Sequence, residues 1–362
     1  MTTIDQKSLN KYHVIFLAQS LMIGTGLLSL PQKLSSLGYS QAFFPLIMGI
    51  IASITLWPMV WLCSKYPNES LFRINEILLG KWLGKFINLA FTLQFTIFTA
   101  GIISDYMNLI ESTALPEQNI TLPVLLIIML FLYILKGGIK SVANFCILTF
   151  FITLGLVYFT RWAIEKGDVS HFLPILNFSS HAFFDALKNG YFSLLGYELI
   201  MFYFPYIIHQ KKAFKHSLIG IWISIALYVF STSVSVMYYS EWQLKNVKFT
   251  ILNLFKAGEF SFIERIDILG MTLWVFHILC GVSGYAWCAK KGLESLMTKN
   301  LKNIKHLSLI IPILVFCLAD MPFSQEFQKN FFTGSYYVGY IIIIWPIFLG
   351  IVYLLRKKKV AQ

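Results

Sequence analysis

Apolar runs of bilayer length dictate what this chain can become. The stretch 335–355 holds no charged residue, and a helix needs about 20 mostly apolar residues to cross hydrocarbon. Comparable runs stand at about 12–31, 40–63, 84–107, 122–136, 143–163, 183–208, 217–239, 265–289 and 306–322. With every backbone polar group in lipid needing an internal partner, the expectation is an all-α integral membrane protein of ten spans. The fourth and ninth runs are short for that length. Hydrophobic residues make up 57% of the chain and charged residues only 13%, which excludes an ordinary soluble domain. The first run is longer than the apolar part of a signal peptide and no small-residue cleavage site follows it, so a retained first span is expected.

Charge placement supports the count. The net charge of +12 does not point to nucleic acid, because the lysines gather in short loops between the runs. With both termini cytoplasmic, 20 of the 29 lysines and arginines fall on the inner side, as expected for cytoplasmic loops. Removing the fourth run moves Lys211, Lys212 and Lys215 outside; removing the ninth moves the basic run Arg356 to Lys359. No loop is long enough for a soluble domain, so residues 1–362 read as one transmembrane domain. Two loops have helical spacing. One is 70–81, with Gly80 as its expected stop. The other is 249–256, whose apolar positions fit a short amphipathic helix on the outer mouth or a surface helix packed on the span ends.

The first run contains Gly24-Thr25-Gly26-Leu27-Leu28-Ser29-Leu30-Pro31. Glycine weakens a helix and proline removes a donor while clashing one turn back. Two readings fit these residues alone: a discontinuous helix at a solute site, or a small-residue patch for close helix packing. The sixth run tips the balance, because it also carries mid-span glycine, Gly196, with Tyr197, Glu198 and then Pro205. If the chain is two five-helix halves, about 12–163 and 183–355, the first and sixth spans are counterparts. Paired interruptions of this kind mark inverted-repeat transporter folds. Broken half-helices offer N–H groups to an anion such as an amino-acid carboxylate. Glu198 in mid-membrane must pair or face a polar cavity. It reads as a ligand contact or proton carrier, or as a structural carboxylate, protonated or tied to backbone donors at the break.

Other polar residues mark possible walls. Gln94 and Phe98 share a face of the third span, and the eighth span offers His277, Cys280 and Tyr285. Each has the plainer reading of interhelical packing. Glu264 and Arg265 open the eighth span as an outer ion-pair gate or as an interfacial anchor. The five cysteines lack metal-ligand spacing and read as small packing residues. No metal site or cofactor is expected, and no enzyme motif is present.

The run Gly24 to Pro31, the Leu195-Gly196-Tyr197-Glu198 turn with Pro205, Phe262 to Asp267 leading to Leu273-Trp274-Val275, and Gly339-Tyr340-Ile341 together resemble one family. They are similar to the endospore germination permeases, the B subunits of GerA-type nutrient receptors, in the amino acid–polyamine–organocation superfamily. The resemblance implies a LeuT-like 5+5 fold with helices 1 and 6 discontinuous. It also implies a place in the spore inner membrane beside a membrane A subunit and a lipoprotein C subunit, where the chain senses a small nutrient. By motif match the pocket would hold Gly24, Thr25, Gly26, Gln94, Phe98, Gly196, Tyr197, Glu198, His277, Cys280 and Tyr285. A secondary amino-acid or cation transporter and an ion- or water-conducting component are the alternative functions.

Overall fold

The computed structural model describes residues 8–114, 120–173, 177–258, 265–297, 309–320 and 325–360. Among these the regular structure is helical, and the one β-type contact is an isolated parallel bridge between Leu9 and Ile207. Six helical segments are long and apolar enough to cross a bilayer: Ser35–Lys65, Lys81–Thr113, Gly138–Glu165, Gln210–Tyr238, Ile266–Leu296 and Glu326–Arg356. Two shorter apolar helices, Thr121–Leu135 and Ile310–Ala319, correspond to the two short runs in the sequence. The first and sixth runs are absent from both groups because each is broken into pieces.

The pieces follow from the sequence. Helix α1 (Lys11–Met22) is capped by Asn10, whose Oδ1 accepts from the amides of Tyr12 and His13, while His13 Nδ1 accepts from the Asn10 amide. The helix stops where Ile23 and Gly24 turn extended. Two four-residue helices follow, α2 (Thr25–Leu28) and α3 (Leu30–Lys33), the second carrying Pro31 in its first turn, where the missing N–H does no harm. Then come α4 (Phe44–Lys65), α5 (Leu71–Leu79, ending at Gly80), α6 (Lys81–Thr113), α7 (Thr121–Leu135) and α8 (Gly138–Leu154). A 3-10 segment and the short α9 (Arg161–Glu165) extend α8. The sixth run is α10 (Ser180–Gly190), then 3-10 turns on either side of Leu195 and Gly196, then α11 (Ile200–Tyr203) and a last 3-10 turn holding Pro205. The remainder comprises α12 (Ala213–Tyr238), α13 (Glu241–Asn246), α14 (Thr250–Leu254), α15 (Ile266–Leu296), α16 (Ile310–Ala319) and α17 (Gln325–Val360).

Helix α1 lies at the centre, packed on α8, α12 and α15, while α15 packs most extensively on α6. Backbone bonds tie the start of the first segment to the end of the sixth: Leu9 donates to Tyr206 O at 3.0 Å and Ile208 to Leu9 O at 3.0 Å. The 249–256 segment packs inward: Ile251, Leu252, Leu254 and Phe255 are buried, and α14 rests on α2, α3, α12 and α15. Burial of that side gives a surface helix seated on span ends.

The approach of α12 to α1 is close enough to exclude a side chain. A Cβ on Gly220 would stand 2.2 Å from Ile15 O and 2.9 Å from the Ala18 Cβ. Backbone oxygen cannot step aside as a flexible side chain does. Gly220→Leu should therefore destabilise the fold by ~1–3 kcal/mol or more. A melting curve of the purified variant in detergent checks this, and an unchanged midpoint would contradict it.

Candidate ligand-binding site

The two breaks face one another. Gly196 has φ 132°, a conformation that favours glycine. Space makes the same demand, since a Cβ there would meet Leu21 O at 2.2 Å and Met22 N at 2.8 Å. The sixth segment thus rests directly on the backbone where α1 ends. Tyr228 on α12 bridges the breaks, its hydroxyl 2.8 Å from Met22 O and 2.6 Å from Ser193 O. Ser193 Oγ donates to Gly26 O at 3.2 Å, and Trp274 Nε1 donates to Gly24 O at 3.3 Å. Carbonyls freed by the first break are in this way taken up by side chains of other helices, as the membrane interior requires.

Glu198 closes the second break. One carboxylate oxygen accepts from the Gly196 amide at 2.6 Å, and the other accepts from the Tyr285 hydroxyl at 2.9 Å. The side chain is buried. Its neighbour Tyr197 turns the opposite way, to Thr55 Oγ1 at 2.7 Å and the Tyr191 hydroxyl at 2.9 Å.

Between the breaks lies a cavity with about 60 Å³ open to the centres of water-sized molecules. Since one water needs ~10–15 Å³ on this measure, the space suits a few waters or a small solute. Gly24, Thr25, Gly26, Phe98, His277 and Tyr285 all line it. A Cβ on Gly24 would meet nothing within 4 Å, whereas one on Gly26 would strike Ser193 at 2.9 Å. Among the described residues, the amides of Gly24, Thr25 and Gly26 take no backbone acceptor.

Other predicted residues stand outside this lining. Gln94 donates to Ser335 O at 2.8 Å on α17. Cys280 lies 3.2 Å from Thr149 Oγ1. Gly196, Tyr197 and Glu198 shape the cavity from behind through the contacts above. Arg265 makes a two-pronged pair with Asp267, at 3.0 and 2.8 Å, and donates to Thr113 O at 3.2 Å, so it fastens the start of α15 to the end of α6. Glu264 lies outside the described residues.

Two charged residues at the cavity were not read from the sequence as site residues. Asp105 on α6 lines it and accepts from the Tyr336 hydroxyl at 2.7 Å. Lys33, at the end of α3, places its ammonium 3.8 Å above the Phe192 ring and 3.5 Å from Ser193 Oγ. Phe192 in turn stacks on Tyr336 with ring centres 5.2 Å apart. Lys33, Phe192, Tyr336 and Asp105 thus form a chain of contacts that runs from an ammonium to a carboxyl group. Asp105 sits within the third apolar run, so the rule that singled out Glu198 also applies to it. Among the described residues no cluster of metal-ligating side chains occurs, and all five cysteines are free thiols.

Together these features define a multi-pass helical membrane protein with two interrupted segments around a small, partly polar chamber. Residues 8–328 match the family described as Spore germination protein, and the chain belongs to it. It is similar to Spore germination protein GerQB of Bacillus cereus, 24% identical over 351 residues and 96% of each chain. It is also similar to two proteins of Bacillus subtilis (strain 168). Spore germination protein A2 is 24% identical over 360 residues, spanning 97% of this chain and 96% of its own. Spore germination protein B2 is 22% identical over 363 residues, spanning 98% and 97%.

The Glu198 clamp makes a graded prediction. Tyr285→Phe removes one hydrogen bond to the buried Glu198 carboxyl group, worth ~0.5–1.5 kcal/mol. Glu198→Ala strands both the Gly196 amide and the Tyr285 hydroxyl and should destabilise more. Melting midpoints of the two purified variants should fall in that order, and the reverse order would refute the clamp.

Proposed function

We propose that this chain is the nutrient-sensing subunit of a spore germination receptor, binding a small molecule, most simply an amino acid, between its two breaks. The observation that carries this reading is the cavity itself. It combines the bare Gly24 face, the unpaired amides of Gly24 to Gly26 and the Asp105 carboxylate, in a chain whose relatives bear the name spore germination protein. The amides suit a carboxylate and Asp105 suits an ammonium, so each charged group of a small zwitterion finds a partner and the ligand itself adds no net charge. Phe98 supplies an apolar wall, and Glu198 with Tyr285 keeps the polar side in place.

On this reading the chain has ten spans in a 5+5 inverted repeat, with both termini in the cytoplasm. The six long helices, the two short ones and the two broken segments supply that number. Its place is the spore inner membrane, beside a membrane A subunit and a lipoprotein C subunit that read its state. A nutrient biases that state only through unequal affinity for two arrangements of the broken segments. No reaction is catalysed.

The test uses spores carrying the native chain or Gly24→Trp, with partner subunits constant, exposed to amino acids and nucleosides. The indole should occupy the open face and abolish the response to one nutrient while subunit levels in the membrane stay normal. Asp105→Asn should weaken the same response roughly 10- to 150-fold, the equivalent of a lost charged hydrogen bond of ~1.5–3 kcal/mol. Normal germination of the Gly24→Trp spores on every nutrient would overturn the pocket.

A further inference from the structure

A larger cavity opens where α7 ends and α8 begins, beside α15. It has about 400 Å³ on the measure that gives the central chamber about 60 Å³. The turn after α7, the first turn of α8 and the last turns of α15 supply Lys136, Lys140, Lys290 and Lys291 to its wall. Trp287, buried and set edge-on to Tyr206 with ring centres 5.6 Å apart, adds an aromatic side. No Asp or Glu lines it.

Four ammonium groups gathered on one cavity repel one another, and the chain does little to answer them. Glu294 pairs with Lys291 at 3.0 Å. Among the described residues no carboxylate pairs with Lys136, Lys140 or Lys290. The start of α8 adds to the imbalance, because this 17-residue helix has no side-chain cap and a helix N-terminus carries partial positive charge. Lys136 and Lys140 are exposed and Lys290 is half-buried, so their flexible stems can bring several ammonium groups to one shared anion. Basic pockets between membrane helices suit anionic head groups for this reason.

The approach to the cavity distinguishes between anions. Leu126, Met129, Leu130 and Tyr133 are exposed along α7 at the spacing of one helix face, and Lys136 follows one turn beyond Tyr133. The Lys136 ammonium lies 5.9 Å from the Tyr133 ring centre. An apolar stripe thus leads to the basic cavity. A free phosphate has no use for the stripe, and a zwitterionic head group brings its own cation to the lysines. We propose that the cavity binds the phosphate of an anionic phospholipid, whose acyl chain lies along that face of α7. The site is separate from the chamber between the breaks and does not depend on what that chamber binds.

Native mass spectrometry of the purified full-length protein tests this with phosphatidylglycerol, phosphatidylcholine and glycerol 1-phosphate as probes. Phosphatidylglycerol should be retained at least ~5-fold more tightly than phosphatidylcholine. Glycerol 1-phosphate, which has the phosphate without the chains, should not displace it even in large molar excess. Lys136→Gln combined with Lys140→Gln should weaken retention roughly 20-fold, at about fivefold for each lysine. If that double variant does not fold, Lys290→Gln alone should weaken it about fivefold. Lys65→Gln combined with Lys81→Gln removes the same charge outside the lining and should change retention by less than ~2-fold. Equal retention of phosphatidylcholine would overturn the assignment. Displacement by glycerol 1-phosphate would overturn it in favour of a soluble phosphate, and equal losses in the two double variants would reduce it to general surface charge.

Discussion

The contact of Gly196 with the Leu21–Met22 backbone fixes where everything around the central chamber can stand. With Leu21 O only 2.2 Å from an ideal Cβ position, no other residue type fits there unless the segments part. That closeness lets Tyr228 reach carbonyls of both segments at once, and lets Ser193 reach Gly26 O. Interrupting a helix in hydrocarbon strands carbonyls and amides, each worth several kcal/mol if left bare in lipid. In this chain the carbonyls of one break are served by helices that pack on the other, so the breaks are tolerable only as a pair. Six long helices form the frame, but the pairing determines the cavity.

Much of this was legible in the sequence, for identifiable reasons. Gly24, Pro31, Gly196 and Pro205 announce interruptions because their backbone chemistry acts whatever the tertiary context. The extent of fragmentation was not legible. Around Gly196 the run 191–206 dissolves into 3-10 turns and a four-residue helix, a result of its being held by Tyr228, Tyr285 and the α1 terminus, all distant in sequence. Likewise, apolar spacing in 249–256 foretold a helix and left its seat open between membrane surface and protein. Only the packing of Ile251 and Phe255 against other helices decides that.

Site residues divide along the same line. Sequence spacing puts Gln94 and Phe98 on one face of α6, and both are buried there. One helical turn still separates them, enough for Phe98 to meet the chamber while Gln94 answers Ser335 O on α17. Spacing gives the face of a helix but not the neighbour above it. Asp105 and Lys33 were missed for a different reason: each stands near the end of an apolar run, where a charge is cheaply explained by the interface. Asp105 lines the chamber, and Lys33 touches Phe192 and Ser193 of its wall, because the Phe192 turn packs between them.

Strengths of the contacts around the chamber are unequal, which bears on how a small ligand can move such a structure. The Glu198 clamp has one carboxyl group held between two donors, at 2.6 and 2.9 Å, and both of its bonds are short and fully buried. It holds the second break to α15 and belongs to the rigid part. The links from the first break to the second are weaker. Tyr228 has one hydroxyl proton for two carbonyls, Ser193 reaches Gly26 O at 3.2 Å, and Lys33 rests on a ring face. Neutral bonds of this sort are worth ~0.5–1.5 kcal/mol each. Moving the short helices past the Phe192 turn would exchange these bonds together with the packing of buried Leu28 and Leu30 on neighbouring helices, while the clamp stays closed. Under the proposed sensing role, a ligand held between the Gly24–Gly26 amides and Asp105 binds one group on each side of that seam. Its unequal affinity for the two placements need supply only ~5.5 kcal/mol to reverse a 1:99 population. A few charged hydrogen bonds cover that sum. On that reading, a weak seam beside a stronger clamp is what would let a ligand of a few atoms suffice.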